Sequence, residues 1–193
     1  MKPEKEKRRW GLILFIILII IGTSAGVIYS GFSPENYTFK YNGIKFVKYP
    51  DRWEAKINGA IAAFSFLPTE VSYINMAGDT LPKLQNKYEI DVTYDYNSTY
   101  KESIALAQHQ IALTLGQYNI YVRKGFTTNS SFNLPVISCN ESTSSAPVLY
   151  FRGGNETYIK SDGSCIIVQG ASNNDFIKAK DRIMYGLLGV LNG

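Results

Sequence analysis

The chain has 193 residues, with 20 Lys and Arg against 16 Asp and Glu, one His and a formal net charge of +4. The first nine residues carry +3 of that charge, so the rest is close to neutral and lacks the clustered basic footprint that a nucleic-acid partner needs. Its two cysteines have no second Cys or His at metal-ligand spacing, which argues against a zinc site.

The opening MKPEKEKRR holds five basic residues, Lys2, Lys5, Lys7, Arg8 and Arg9, and no charge then occurs until Glu35. Trp10 to Tyr29 is almost wholly apolar, and about 20 such residues in a helix match a hydrocarbon core of roughly 30 Å. The expectation is a transmembrane helix over residues 10–30 with the bilayer as its partner, residues 1–9 as a cytoplasmic flank, and residues 33–193 outside by the positive-inside rule. The same stretch also fits a cleaved signal peptide, with an apolar run from Leu12 to Ile21 and Thr23 and Ala25 near a cleavage frame. A third reading is a pilin-like leader, from Arg8-Arg9-Trp10-Gly11. Intact mass separates full length, loss of about 25 residues and loss of 11.

Two hairpins are expected between Tyr37 and Phe66. Asn42-Gly43 and Asn58-Gly59 each sit between alternating runs, and both central positions of a type I′ turn require positive φ. Thr69 to Asn75 reads as a short helical turn, and the polar stretch to Lys87 has no assigned element. Tyr88 to Tyr96 alternates as a strand, with Ile90, Val92 and Tyr94 on one face and Asp91, Thr93 and Asp95 facing water. Thr99-Tyr-Lys-Glu102 has the form of a capping box, and Ile104, Ala107, Ile111 and Leu115 recur at helical spacing up to Gly116. A strand from Ile120 to Phe126 completes a β-α-β unit with parallel, adjacent strands.

Further strands are expected at Val136 to Cys139, Val148 to Arg152 and Cys165 to Gln169, with another at Thr157 to Lys160. A final helix runs from Asn174 to Leu191, with Phe176, Ile177, Ile183, Met184, Leu187 and Leu188 inward and Lys178, Lys180, Asp181 and Arg182 on a wet face. The fold class is α+β: a single N-terminal transmembrane helix, then a mixed sheet with N-terminal hairpins, a β-α-β unit and a C-terminal helix packed on the sheet.

Cys139 and Cys165 lie at ends of expected strands, outside the cytoplasm, where thiols oxidise and persist as disulfides. A bridge would close a loop of about 26 residues; two separate buried thiols are the alternative. Five Asn-x-Ser/Thr triplets begin at Asn36, Asn97, Asn129, Asn140 and Asn155. They are glycosylation candidates if the host modifies exported proteins, and they are also ordinary turn residues.

A catalytic constellation does not emerge. His109 is the sole histidine and falls beside Gln108 and Gln110, off the apolar helix face. Asp91 and Asp95, four strand residues apart, would be separated by about 13 Å, beyond the span of glycosidase pairs. Arg152-Gly153-Gly154-Asn155 has no following helix to make a phosphate cradle. No cofactor or metal is expected. The 14 tyrosines, Tyr94 and Tyr96 among them, either furnish an aromatic face for a protein or glycan partner or reflect strand preference and biased composition.

The uncharged run, the hairpin-rich start, and Cys165-Ile-Ile-Val-Gln-Gly followed by Phe176-Ile-Lys-Ala-Lys-Asp-Arg-Ile-Met-Tyr-Gly-Leu-Leu-Gly together resemble small exported, membrane-tethered archaeal proteins of uncharacterised function. The resemblance implies an archaeal cell surface and transfers no functional residue. The expected role is a membrane-anchored extracytoplasmic interaction or structural protein. The alternatives are a subunit of a larger envelope or pilus-like assembly and an exported hydrolase.

Overall fold

A computed structural model describes residues 10, 11, 13–21 and 37–192. The chain divides into two units, residues 1–36 and 37–193. In the first, residues 10–11 and 13–21 are helical. The expected membrane span is corrected here, because no helix among the described residues is long and apolar enough to cross a membrane. At 1.5 Å per residue, 13–21 covers about 14 Å of the roughly 30 Å required. Residues 22–30, the flank 1–9 and the sequon at Asn36 lie outside the described residues.

The second unit begins with a four-stranded antiparallel meander, β1 (Thr38–Tyr41), β2 (Ile44–Lys48), β3 (Trp53–Ile57) and β4 (Ala60–Phe64), ordered β1-β2-β3-β4. The two Asn-Gly turns form as expected, with φ of 47° and 79° at Asn42 and Gly43 and of 50° and 89° at Asn58 and Gly59. β2 also pairs with β3, so the hairpins fuse into one sheet.

After a short helix α1 (Pro68–Val71), the stretch without an assigned element supplies β5 (Asn75–Met76) and a second short helix, α2 (Thr80–Leu84). The β-α-β unit follows as β6 (Glu89–Tyr94), α3 (Lys101–Gly116) and β7 (Tyr121–Phe126), its strands parallel and adjacent. The box at Thr99 does not form. Helix α3 begins after Tyr100 with no side-chain cap. β8 (Val148–Gly153), β9 (Tyr158–Asp162) and β10 (Cys165–Gly170) complete a six-stranded mixed sheet ordered β5-β9-β10-β8-β6-β7, and α4 (Asn173–Leu187) closes the chain. Val136 to Cys139 is not a strand: one isolated bridge joins Phe126 to Val136, and Cys139–Glu141 turns into a 3₁₀ helix.

The meander is a second sheet, and the two long helices lie between it and the six-stranded sheet. Tyr185 of α4 stacks on Phe64 at 4.0 Å between ring centroids and meets Phe46 edge-on at 6.0 Å. On its other side Phe176 packs so close to β10 that a Cβ on Gly170 would meet its ring at 3.0 Å. With sheets on two sides, α4 is exposed only at Asn173 and Asn174, with Lys178 half-buried, and this corrects the reading of Lys180, Asp181 and Arg182, which are 1, 0 and 6 % exposed.

The outer face of the six-stranded sheet is also partly covered. Ile137 forms a small core with Val148 and Cys165, and its carbonyl accepts from Thr93 Oγ1 at 2.7 Å. Gly125 allows this approach, since a Cβ there would lie 2.6 Å from the Pro135 carbonyl oxygen.

Candidate functional site

Strand β4 ends the meander, and its hydrogen-bonding register decides what it exposes. Ile57 and Ala60 close the Asn-Gly turn as a hydrogen-bonded pair, and the pattern alternates from there through Lys56↔Ile61, Ala55↔Ala62 and Glu54↔Ala63. Ile61 and Ala63 therefore direct their N–H and C=O groups away from β3, to a free edge. Helix α3 runs alongside. Ile104, Ala107, Ile111 and Leu115 bury as expected, while Leu106 and Leu113 on its flank stay 48 and 59 % exposed.

Between edge and helix lies a cleft of about 400 Å³, walled by Ala63, Phe64 and Ser65 on one side and by Leu106, His109, Gln110, Leu113 and Thr114 on the other. Lys180 reaches it from α4, and Asp51 and Arg52 stand at its mouth. Arg52 Nε donates to Glu54 at 2.7 Å and its Nη1 to Asp51 at 3.1 Å, so the mouth is an exposed ion-pair cluster with one net negative charge.

The floor is held by Asp181. One carboxylate oxygen accepts from the backbone N–H of Ser65 and of Phe66, each at 2.9 Å, and the other from Lys180 Nζ. Burial pushes the Asp181 carboxyl up, while the Lys180 ammonium and the two N–H donors pull against it. Tyr185 donates to the Phe66 carbonyl at 2.6 Å, and burial pushes its phenol up as well. Gln110 Oε1 is buried beside the cleft without a hydrogen-bond partner. His109 is exposed, as expected, and has no hydroxyl, thiol or carboxylate bonded to it among the described residues. The arrangement offers an unsatisfied backbone edge above an apolar stripe, which is chemistry for binding an extended chain.

Apart from His109, Lys180 and Asp181, the residues singled out in the sequence lie elsewhere. Cys139 and Cys165 are joined, with S–S at 1.99 Å and Cα atoms 5.2 Å apart, and so tie the segment carrying Ile137 to β10. Asn97, Asn129, Asn140 and Asn155 are all exposed.

Asp91 does not face water. It is fully buried and takes a two-pronged contact from Arg123, Nε to Oδ1 at 2.8 Å and Nη2 to Oδ2 at 2.6 Å. The reason is that this face of β6 is covered: Arg123 lies opposite Asp91 on β7, and the segment carrying Ile137 lies over Thr93 two residues on. Asp95 lies past the strand end and is exposed. Tyr94 is 8 % exposed and packs with Tyr96 around Phe126, at 5.1 and 5.8 Å between centroids, so it is core and not binding face. No group of three or more His, Cys, Asp or Glu among the described residues could hold a metal.

No protein-family model matches the chain, and neither does any curated protein or solved structure. The cleft itself left one trace in the sequence: Leu106 and Leu113 are seven residues apart and off the inward face of α3.

Proposed function

We propose that this is a non-catalytic interaction domain working outside the cytoplasm, and that an extended segment docks by adding a strand to β4 over the exposed flank of α3. The observation that carries the reading is that the meander stops one strand short. The N–H and C=O groups of Ile61 and Ala63 point outward from the edge, and Ala63 lines the same cleft as Leu106 and Leu113. Main-chain hydrogen bonds would supply affinity, and the leucines would take alternate side chains of the added strand. The Cys139–Cys165 bond supports an oxidising compartment. The uncharged run over residues 10–30 supports contact with a lipid surface, and the resemblance to exported archaeal proteins supports the same address.

The test is in-cell photo-crosslinking with a reactive residue at Leu113, compared with one at Tyr88, which is 88 % exposed and remote in sequence from the cleft. Discrete adducts are expected from position 113 alone, and they should vanish in Ala63→Pro, which removes an edge donor without breaking the β3–β4 ladder. Equal labelling from both positions, or no adduct from 113, would sink the docking reading.

A further inference from the structure

We infer that the strand docking on β4 is β4 of a second copy, paired antiparallel about a two-fold axis at Ala62. The inference rests on the docking reading above and names its occupant.

The edge strands of this domain are not alike. β1 carries Lys40, β7 carries Arg123 and Lys124, and β5 has only two residues. Charge and brevity are the usual means of keeping an edge from pairing with another chain. β4 has neither protection. Its sequence Ala60-Ile-Ala-Ala-Phe64 is uncharged, and Ile61 is 57 % exposed.

The register is self-complementary. With Ala62 opposite its own copy, Ile61 lies opposite the other Ala63, and these are the two residues whose N–H and C=O groups point outward. Each pair then exchanges both hydrogen bonds, so every outward group of Ile61 and Ala63 on both chains is satisfied. The symmetry is isologous and closes on itself, which makes a dimer and not a fibre.

Two further features fit the same axis. On the solvent face Lys56 stands beside Ile61 and Glu54 beside Ala63. Pairing therefore puts Lys56 of one copy and Glu54 of the other at the two ends of one row, about 14 Å apart with Ile61 and Ala63 between them, so no like charges meet at the seam. Beneath the sheet, each copy's β4 then lies along the exposed Leu106–Leu113 stripe of the other copy's α3, as the docking reading requires of its occupant. Gln110, whose Oε1 has no partner, lies near the midpoint of that stripe.

The test uses the purified full chain in nonionic detergent, with native mass and hydrogen exchange of the Ile61 and Ala63 amides read across a hundredfold concentration series. The expected result is a two-copy species in which both amides become protected as concentration rises. Ala63→Pro and Leu113→Lys should each weaken it tenfold or more, with far-UV and thermal-unfolding signals retained as the check on folding. A monomer throughout, or a dimer whose β4 amides stay unprotected, overturns the second-copy proposal. The docking reading is judged separately by the adducts at position 113: adducts of a mass other than this chain's own would keep that reading and remove the second copy as occupant, and no adduct at all would remove both.

Discussion

Lys180 Nζ meets Asp181 Oδ1 in the layer between the two sheets, with both side chains withdrawn from water. The pair is sequence-adjacent, yet its purpose is long-range, because the other Asp181 oxygen holds the backbone of Ser65 and Phe66 where β4 leaves its sheet. Asp181 thus fastens the last helix to the wall of the cleft.

Removing one partner of such a pair strands a buried charge. Asp181→Ala is expected to cost about 3–5 kcal/mol, since it orphans Lys180 and two N–H donors together. The double change Lys180→Met with Asp181→Asn removes both charges and keeps an acceptor for Ser65 and Phe66, so it should cost clearly less. Urea unfolding of the single and double variants checks this, and equal losses would refute the assignment.

The Cys139–Cys165 bond closes a separation of 26 residues. Its removal in Cys139→Ser with Cys165→Ser is expected to cost about 3 kcal/mol in the chain-entropy account. Loss of protection should be largest around Ile137 and Thr93, whose cover the bond secures. Hydrogen exchange reads this locally, and an unchanged Thr93 amide would contradict it.

Both hairpin tips reach the end of the chain. Asn42 Nδ2 donates to the Val190 carbonyl at 3.3 Å and Asn58 Nδ2 to that of Leu188 at 3.2 Å. Asn58→Gly should keep the turn and lose about 0.5–1.5 kcal/mol for the missing hydrogen bond. Gly59→Ala, at φ 89°, should lose roughly 1–2 kcal/mol through the turn itself. Thermal unfolding of the two variants, with residues 188–190 followed by exchange, separates the effects.

Glu141 accepts from Ser138 Oγ and from the Ser138 backbone N–H, and these bonds hold its carboxyl below the usual glutamate range. A carboxyl lowered in the folded state contributes stability above the unfolded pKa, and that contribution is lost as pH falls through the lowered value. Carboxyl-carbon NMR titration should therefore place Glu141 below other exposed glutamates, and Ser138→Ala should return it toward them. An unmoved midpoint in that variant would show that the bonds do not control the titration.

The Asn-Gly turns, the inward face of α3 and the parallel pairing of β6 with β7 were legible because each depends on local terms: positive φ, helical spacing and the handedness of a crossover. The disulfide was expected from compartment and from two strand ends; Cys165 does open β10, whereas Cys139 begins a 3₁₀ turn. By contrast, Asp91 and the run from Lys180 to Arg182 carry the composition of a solvated face, and composition alone gives no sign that another layer lies over them.

What the sequence by itself determined was the four strands of the meander with their Asn-Gly turns, the β-α-β unit and the last helix, but not β5, not α2 and not the irregular path of Val136 to Cys139. Only the tertiary structure decided that the hairpins form their own sheet, that α4 lies between two sheets, and that β4 is an edge. Burial and edge exposure belong to pairs of elements far apart in the chain. A strand's free side is defined by which neighbour is missing, and no local pattern in Ala60 to Phe64 records that.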